Sequence, residues 1–274
     1  MKSDLLVCWI KHCDYPIFRK FLKKHREFFG KIIIYWSEHF RHMYYDKFIQ
    51  EDLATLGNIQ FLENIEYKYG VEDWRNIATN YMLKHSTSEW ICSVEQDFFT
   101  KDWNKLFKAI EEASKTYDLL GYKGYSKQAG QEHQDPYLTG NYVHPAFFFM
   151  KRATLEKTSR DFTADTSKGC DHFGLITQDS LRLEIPIWYT QDNGFPEKDT
   201  FHQGGINFNY LEFGKENSEI HRPELFYLYN YWSMKADVKQ NSQFYTLMME
   251  VDAVLKERFP EINPETDERR VFYT

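Results

Sequence analysis

Between Trp90 and Phe99 the chain reads WICSVEQDFF, and two acids stand where an apolar strand should finish. Residues two apart on an extended chain project to the same side, so the Glu95 and Asp97 side chains would lie roughly 6.5 to 7 Å apart along it. Like charges so placed repel unless something positive lies beside them. A hard divalent ion, Mn2+ or Mg2+, takes oxygen ligands and often uses only one or two carboxylates together with phosphates. The same pair also reads as a solvated acidic cluster or a helix cap. His202 lies in TFHQGG, where two glycines let the backbone approach a ligand closely. His144, before Pro145, has less to recommend it, and either histidine also fits a packed or surface ring.

The elements that must position these residues alternate through the first half. Asp4 to Ile10 reads as a strand, and Tyr15 to Phe29 as an amphipathic helix closing at Gly30. Lys31 to Trp36 (KIIIYW) is a β-branched strand. Tyr44 to Leu56 is a helix ending at Gly57, and Ile59 to Leu62 a short strand. Trp74 to Lys84 is helical, with Trp74, Ile77, Ala78, Tyr81 and Met82 on one stripe. Glu89 to Val94 is a strand, Trp103 to Ala113 a helix and Asp118 to Gly124 another strand. This βαβαβαβαβ order predicts an α/β fold with a doubly wound, mostly parallel sheet. Ligands of such sheets bind at the carboxyl ends of the strands, which is where Glu95 and Asp97 fall.

The second half is less regular. Residues 125–143 are polar, with Gly and Pro, and read as a long loop over a site. His144 to Met150 reads as a strand, Arg152 to Phe162 as the start of a helix, Asp171 to Arg182 as a helix and Leu183 to Tyr189 as a strand. Tyr227 to Trp232 and a helix over Ser242 to Phe259 follow. The expected organisation is one domain in two halves, 1–124 and 125–274, the second ending in a helical tail.

Composition narrows the class. The net charge of −7 argues against broad, non-specific nucleic-acid binding, although a local basic groove is compatible with it. The densest basic run, residues 19–26, falls on a helix whose apolar residues keep helical spacing, so it reads as a solvated face. Aromatics are 18% of the chain, enough for core mass and for a surface that stacks on rings. Cys8, Cys13, Cys92 and Cys170 form no CxxC pair and read as reduced thiols. No apolar window reaches membrane-spanning length. The expectation is a soluble, cytoplasmic protein, or one of the host cytoplasm if the chain is viral.

Several stretches resemble the nucleotide-sugar half of GT-A glycosyltransferases of the family 2 kind. LLVCWI is similar to their first strand, and KIIIYWSE to the second, whose end touches the base or ribose. DWRNIATNYMLKHSTSEWICSVEQDFF resembles the family's arginine, then Ala and Asn, then a helix and a strand ending in the DxD motif. Here that motif is Glu95-Gln96-Asp97, which departs from DxD at its first acid. The resemblance implies a metal-dependent hexosyltransferase using a nucleoside-diphosphate sugar, most simply a UDP-sugar. It makes Asp97 a metal ligand and Glu95 a ribose contact or a residue behind the ligand. Trp9, Ser37, Glu38, Arg75 and Asn76 would line the donor, with Arg75 as a cationic fork on a phosphate or paired in a surface ion bridge. His202 would complete the metal shell or touch the diphosphate. GCDHFGLITQDSLRL resembles the family's acid at a helix start, which makes Asp171 the general base of an inverting transfer, with His172 the other candidate, or else an N-cap.

EQDFF, the aromatic load and the compact length also resemble the base J glucosyltransferase group and its TET-associated relatives in phages. These glycosylate hydroxymethylated pyrimidines in DNA. That implies a DNA-modification role, with Lys123, Lys127, Lys151 and Arg152 as contributors to a basic path. The competing acceptor is a cell-surface glycan; the lack of an amphipathic membrane helix counts against a lipid-linked one. A nucleotidyltransferase would carry a glycine-rich loop after the first strand, but residues 11–16 (KHCDYP) have no Gly. A non-catalytic nucleotide-binding module remains the reading from another class.

Overall fold

The computed structural model describes residues 2–9, 15–36, 43–63, 74–95, 98–100, 102–125, 141–164, 172–196 and 199–202. In chain order the elements are β1 (Ser3–Trp9), α1 (Tyr15–His25), β2 (Phe29–Trp36), α2 (Met43–Ala54), β3 (Ile59–Glu63), α3 (Trp74–His85), β4 (Trp90–Val94) and β5 (Phe98–Thr100). Then follow α4 (Trp103–Ala113), β6 (Leu119–Tyr125), β7 (Asn141–Lys151), the single turn α5 (Arg152–Leu155), α6 (Gly174–Arg182), β8 (Ile187–Tyr189) and β9 (Thr200–His202). Seven strands form one mixed sheet in the order β3-β2-β1-β4-β7-β6-β8, and β5 pairs with β9 in a separate two-stranded sheet.

The sheet is mostly parallel. β7 is its one antiparallel strand among those described, running against both β4 and β6. Phe147, Phe148 and Phe149 show why HPAFFFM is apolar throughout: successive side chains point to opposite faces, and both faces are covered. Phe148 belongs to the core beneath α3 and α6, with Leu6, Ile33, Ile91, Ala78, Met82 and Ile176. On the other face Phe147 and Phe149 meet an aromatic layer under α4. There Phe28 stacks on Phe107 at 3.9 Å, Phe98 stacks on Phe147 at 4.7 Å, and Phe147 meets Phe149 at 5.0 Å. Much of the aromatic surplus is therefore core.

Several expected boundaries shift. The first helix stops at His25; Arg26–Phe28 form a 3-10 turn, and Gly30 lies inside β2. A Cβ on Gly30 would stand 2.9 Å from the Asp4 carboxylate, so this glycine serves close packing between strands rather than helix termination. Gly57 does end the second helical region, at φ +128°. The helix expected from Arg152 lasts one turn. The helix expected from Asp171 begins at Gly174 with Phe173 at the N-cap position, φ 70°, and no side-chain cap. Asp171 lies two residues before that cap and outside the described residues, as do Cys13, Cys170 and the elements expected beyond residue 202.

By their contacts the residues fall into two units. One holds the sheets: Met1–Ile10, Glu27–His39 and Asn58–His202. The other contains Lys11–Arg26, Phe40–Gly57 and Gln203–Thr274. Within the second, Arg19 Nε reaches Asp52 Oδ2 at 2.7 Å, tying α1 to α2 through a buried ion pair. This arginine was counted in the solvated basic face; its side chain is 5% exposed.

Candidate functional site

Glu95 sits at the carboxyl end of β4, which neighbours β1 in the sheet. The Glu95 N–H donates to the Ala146 carbonyl of β7 at 2.9 Å, and the Phe98 N–H donates back to the Glu95 carbonyl at 3.1 Å. The chain is thus fixed on both sides of Gln96 and Asp97, which themselves lie outside the described residues. Phe98 anchors the far side: its ring is 2% exposed, stacked on Phe147 and edge-on to Trp103 and Tyr122. β5 then pairs with β9 in the register Phe98 to His202, Phe99 to Phe201 and Thr100 to Thr200. The Thr100 and Thr200 hydroxyls, 2.9 Å apart, pin that register. The backbone of His202 therefore stands opposite the residue that follows Asp97.

Glu95 is ion-paired with Arg75 from the first turn of α3, and each side chain is 13% exposed. Beneath this pair a cavity of about 10 Å³, the size of one water, is lined by Cys8, Thr79, Ser93 and Phe148 among others. Burial pushes the Cys8 thiol above its ordinary value despite the nearby Arg75 guanidinium, so it stays protonated at neutral pH. Burial raises the Cys92 thiol as well. Both thiols are free, as expected of core cysteines.

Two residues expected at the substrate are engaged with backbone. The Asn76 side-chain oxygen accepts the Phe162 N–H at 3.1 Å, and His172 Nδ1 lies 3.1 Å from the Phe162 carbonyl. Trp9 ends β1, with only its backbone described, as for His202. Ser37 and Glu38 follow β2 in sequence and lie outside the described residues. His144 is 9% exposed; its Nδ1 accepts the Ala146 N–H at 3.0 Å, and its ring packs with Tyr122 and Tyr142. It sits in the stretch of β7 that pairs irregularly with β6.

The basic path expected for DNA is not assembled by its described members. Because β7 is antiparallel, its last residue Lys151 pairs with Trp90, at the amino end of β4. Lys151 faces Glu89 and Asp118 there, and Arg152 donates to the Ser88 carbonyl at 3.0 Å and the Ser86 hydroxyl at 2.6 Å. Both lie at the end of the sheet opposite Glu95. Lys123 is paired with Asp192 at 2.7 Å, 13% exposed and 5.2 Å from the Tyr189 ring centre. Burial, with Asp192, pushes the Tyr189 hydroxyl up to about 12. Lys127 lies outside the described residues.

Sequence reasoning missed the β5–β9 sheet. FFT and TFH are three-residue strands with no alternation to read. Among the described residues no group of three His, Cys, Asp or Glu could hold a metal, and no helix is long and apolar enough to cross a membrane.

No protein-family model and no curated protein matches the chain. Among solved structures it is similar to a mannosyltransferase of Pyrobaculum calidifontis in complex with GDP-Man and Mn2+. The two share 12% identity and a TM-score of 0.50 over 95% of this chain and 88% of that one. S. aureus TarS 1-349 aligns over 98% of this chain and 75% of its own, at 12% identity and TM-score 0.47. The same protein with UDP-GlcNAc aligns over 60% and 49%, at 16% and 0.41. The first likeness speaks for the fold: a mixed α/β sheet of the glycosyltransferase kind.

Proposed function

We propose that this chain is a metal-dependent glycosyltransferase that moves a hexosyl group from a nucleoside-diphosphate sugar to an acceptor hydroxyl with inversion. The observation that carries the reading is the pairing of β5 with β9. It sets His202 opposite Phe98, directly after Asp97, at the carboxyl end of β4 in a glycosyltransferase-like sheet. One carboxylate and one imidazole, completed by phosphate oxygens, are a donor set that fits Mn2+ and, through the oxygens, Mg2+. Such an ion, when held by Asp97 and His202, would neutralise charge on the leaving diphosphate.

The remaining roles belong to side chains. Arg75 presents five N–H donors, more than one carboxylate consumes, so its pairing with Glu95 is compatible with a phosphate contact. Glu95 thereby becomes the residue that orients Arg75. Trp9 ends β1, which neighbours β4, and Ser37 and Glu38 come just after β2, one strand further out; these three would line the nucleoside. Asp171 would take the acceptor hydroxyl proton as that oxygen bonds to the anomeric carbon and the nucleoside diphosphate departs from the opposite side.

The acceptor best supported is a glycan hydroxyl. Lys123, Lys151 and Arg152 are paired within the protein, two of them at the wrong edge for a nucleic acid reaching Asp97. The test is thermal shift and donor hydrolysis across UDP-, GDP- and other nucleotide sugars, with Mn2+ or chelator, on wild type, Asp97→Ala and His202→Ala. One donor should raise the melting temperature only with metal, and both variants should lose that shift. No shift with any donor would overturn the reading. A shift without transfer to any glycan or hydroxymethylated DNA would mark a nucleotide-binding module instead.

A further inference from the structure

The chain from Thr158 to Thr163 is held from two helices at once. From α3, the Asn76 side-chain oxygen accepts the Phe162 N–H at 3.1 Å. Asn80 Nδ2 fixes that carboxamide, donating to its oxygen at 2.8 Å and to the Arg160 carbonyl at 3.1 Å. From the α6 side, His172 Nδ1 meets the Phe162 carbonyl at 3.1 Å, and Asp179 accepts the Ser159 N–H at 2.8 Å. The Phe162 ring is fully buried against Phe173 at 4.9 Å, and Phe173 closes on Phe148 at 4.6 Å. One residue thus has its N–H claimed by the neighbour of Arg75 and its C=O claimed by the neighbour of Asp171.

A carbonyl oxygen only accepts, so His172 Nδ1 must carry a proton. The ring is then the Nδ1–H tautomer or the imidazolium, and the bond to Phe162 holds in both. We propose that His172 is a positioning residue: through Phe162 and Asn76 it fixes the start of α6 relative to α3. The catalytic part rests on the function proposed above, in which Asp171 and Arg75 act on acceptor and donor. The clamp itself does not. A base placed even ~1 Å out of line can cost on the order of 100-fold in rate, so the expected signature is a loss in kcat rather than in donor KM.

Asparagine and glutamine separate positioning from ring chemistry. The Asn amide nitrogen falls near the place of Nδ1, whereas the Gln amide reaches toward Nε2. With the donor and acceptor that wild type uses, His172→Ala and His172→Gln should lower kcat roughly 10- to 100-fold with donor KM within about twofold, and His172→Asn should restore most of that loss. A His172→Asn enzyme as slow as His172→Ala, or a His172→Ala enzyme as fast as wild type, would overturn the proposal. A second measurement needs no activity. Imidazole 1H–15N correlation on the wild-type protein should show His172 protonated at Nδ1; an unprotonated Nδ1 overturns the clamp. A protonated Nδ1 in a protein that transfers no sugar upholds the clamp and sinks the glycosyltransferase reading instead.

Discussion

Glu95 is ion-paired with Arg75, and the energetics of that pair are open to measurement. With 13% of each side chain exposed, the Arg75–Glu95 pair is largely removed from water, where a lone charge is costly. Glu95→Ala should lower unfolding free energy by about 3 kcal/mol in urea melts. Combining Arg75→Met with Glu95→Leu should cost less than the two single changes added, because neither charge is then stranded. Additive losses would show that the pair is not coupled. Spacing singled out Glu95 and Asp97 as a pair, and only the glycosyltransferase resemblance pointed to Arg75, Asn76 and His172. Neither could give partners. Asn76 bonds to a backbone 86 residues away, and nothing in RNIATN marks which N–H a carboxamide will take. The resemblance offered His172 only as the second candidate base beside Asp171; its hydrogen bond to a carbonyl becomes visible only once Phe162 is placed.

At the level of elements, the amino ends of the strands are gathered on one carboxylate. Asp4 accepts from the Lys31, Thr87 and Ser88 amides and from the Ser86 and Ser88 hydroxyls, all at 2.7 to 3.1 Å, which joins β1, β2 and the turn before β4. Burial alone would raise its pKa, but the hydrogen bonds from Ser88, Ser86 and Lys31 outweigh it and hold the carboxyl below its ordinary 3.8. A depressed acid stabilises the fold above its unfolded pKa and loses that contribution as pH falls through the folded value. The stability gap between wild type and Asp4→Asn should therefore be full at pH 6 and shrink only below about pH 3.8. A gap that stayed constant from pH 6 to pH 2 in urea titrations would contradict it. β6 and β7 carry a second prediction. A Cβ at Gly121 would stand 2.3 Å from Val143 Cγ1 and 2.4 Å from the Phe147 carbonyl, so Gly121→Ala should destabilise by about 1–3 kcal/mol. An unchanged melting temperature would mean the strands can part there. The helices were legible because apolar residues recur every three or four positions, and α4 over Trp103–Ala113 matches its expected span end to end. β7 was legible as a strand but not in direction, since an apolar run buried on both faces reads the same either way.

On the scale of the whole molecule, strand direction decides which acceptor the charges can serve. Had β7 run parallel, Lys151 and Arg152 would have stood at the Glu95 end of β4; running antiparallel, it carries them to the Glu89 and Ser86 edge. The net charge of −7 then faces an incoming polyanion with little local relief from the described residues. A duplex acceptor gripped through six to ten phosphates would lose roughly 10³- to 10⁵-fold in affinity between 50 and 200 mM salt. A neutral glycan releases no condensed counterions, and its KM should move by less than about twofold over the same range. Donor KM must be followed in parallel, because the diphosphate is itself an anion and its own salt response would otherwise be read as the acceptor's. A steep salt slope on acceptor KM alone would show that a basic path exists. It would have to come from residues such as Lys127 or from 203–274 rather than from Lys123, Lys151 and Arg152, and replacing Lys151 would then leave the slope unchanged. A flat slope would place recognition in uncharged contacts, hydroxyls and ring faces, rather than in phosphates.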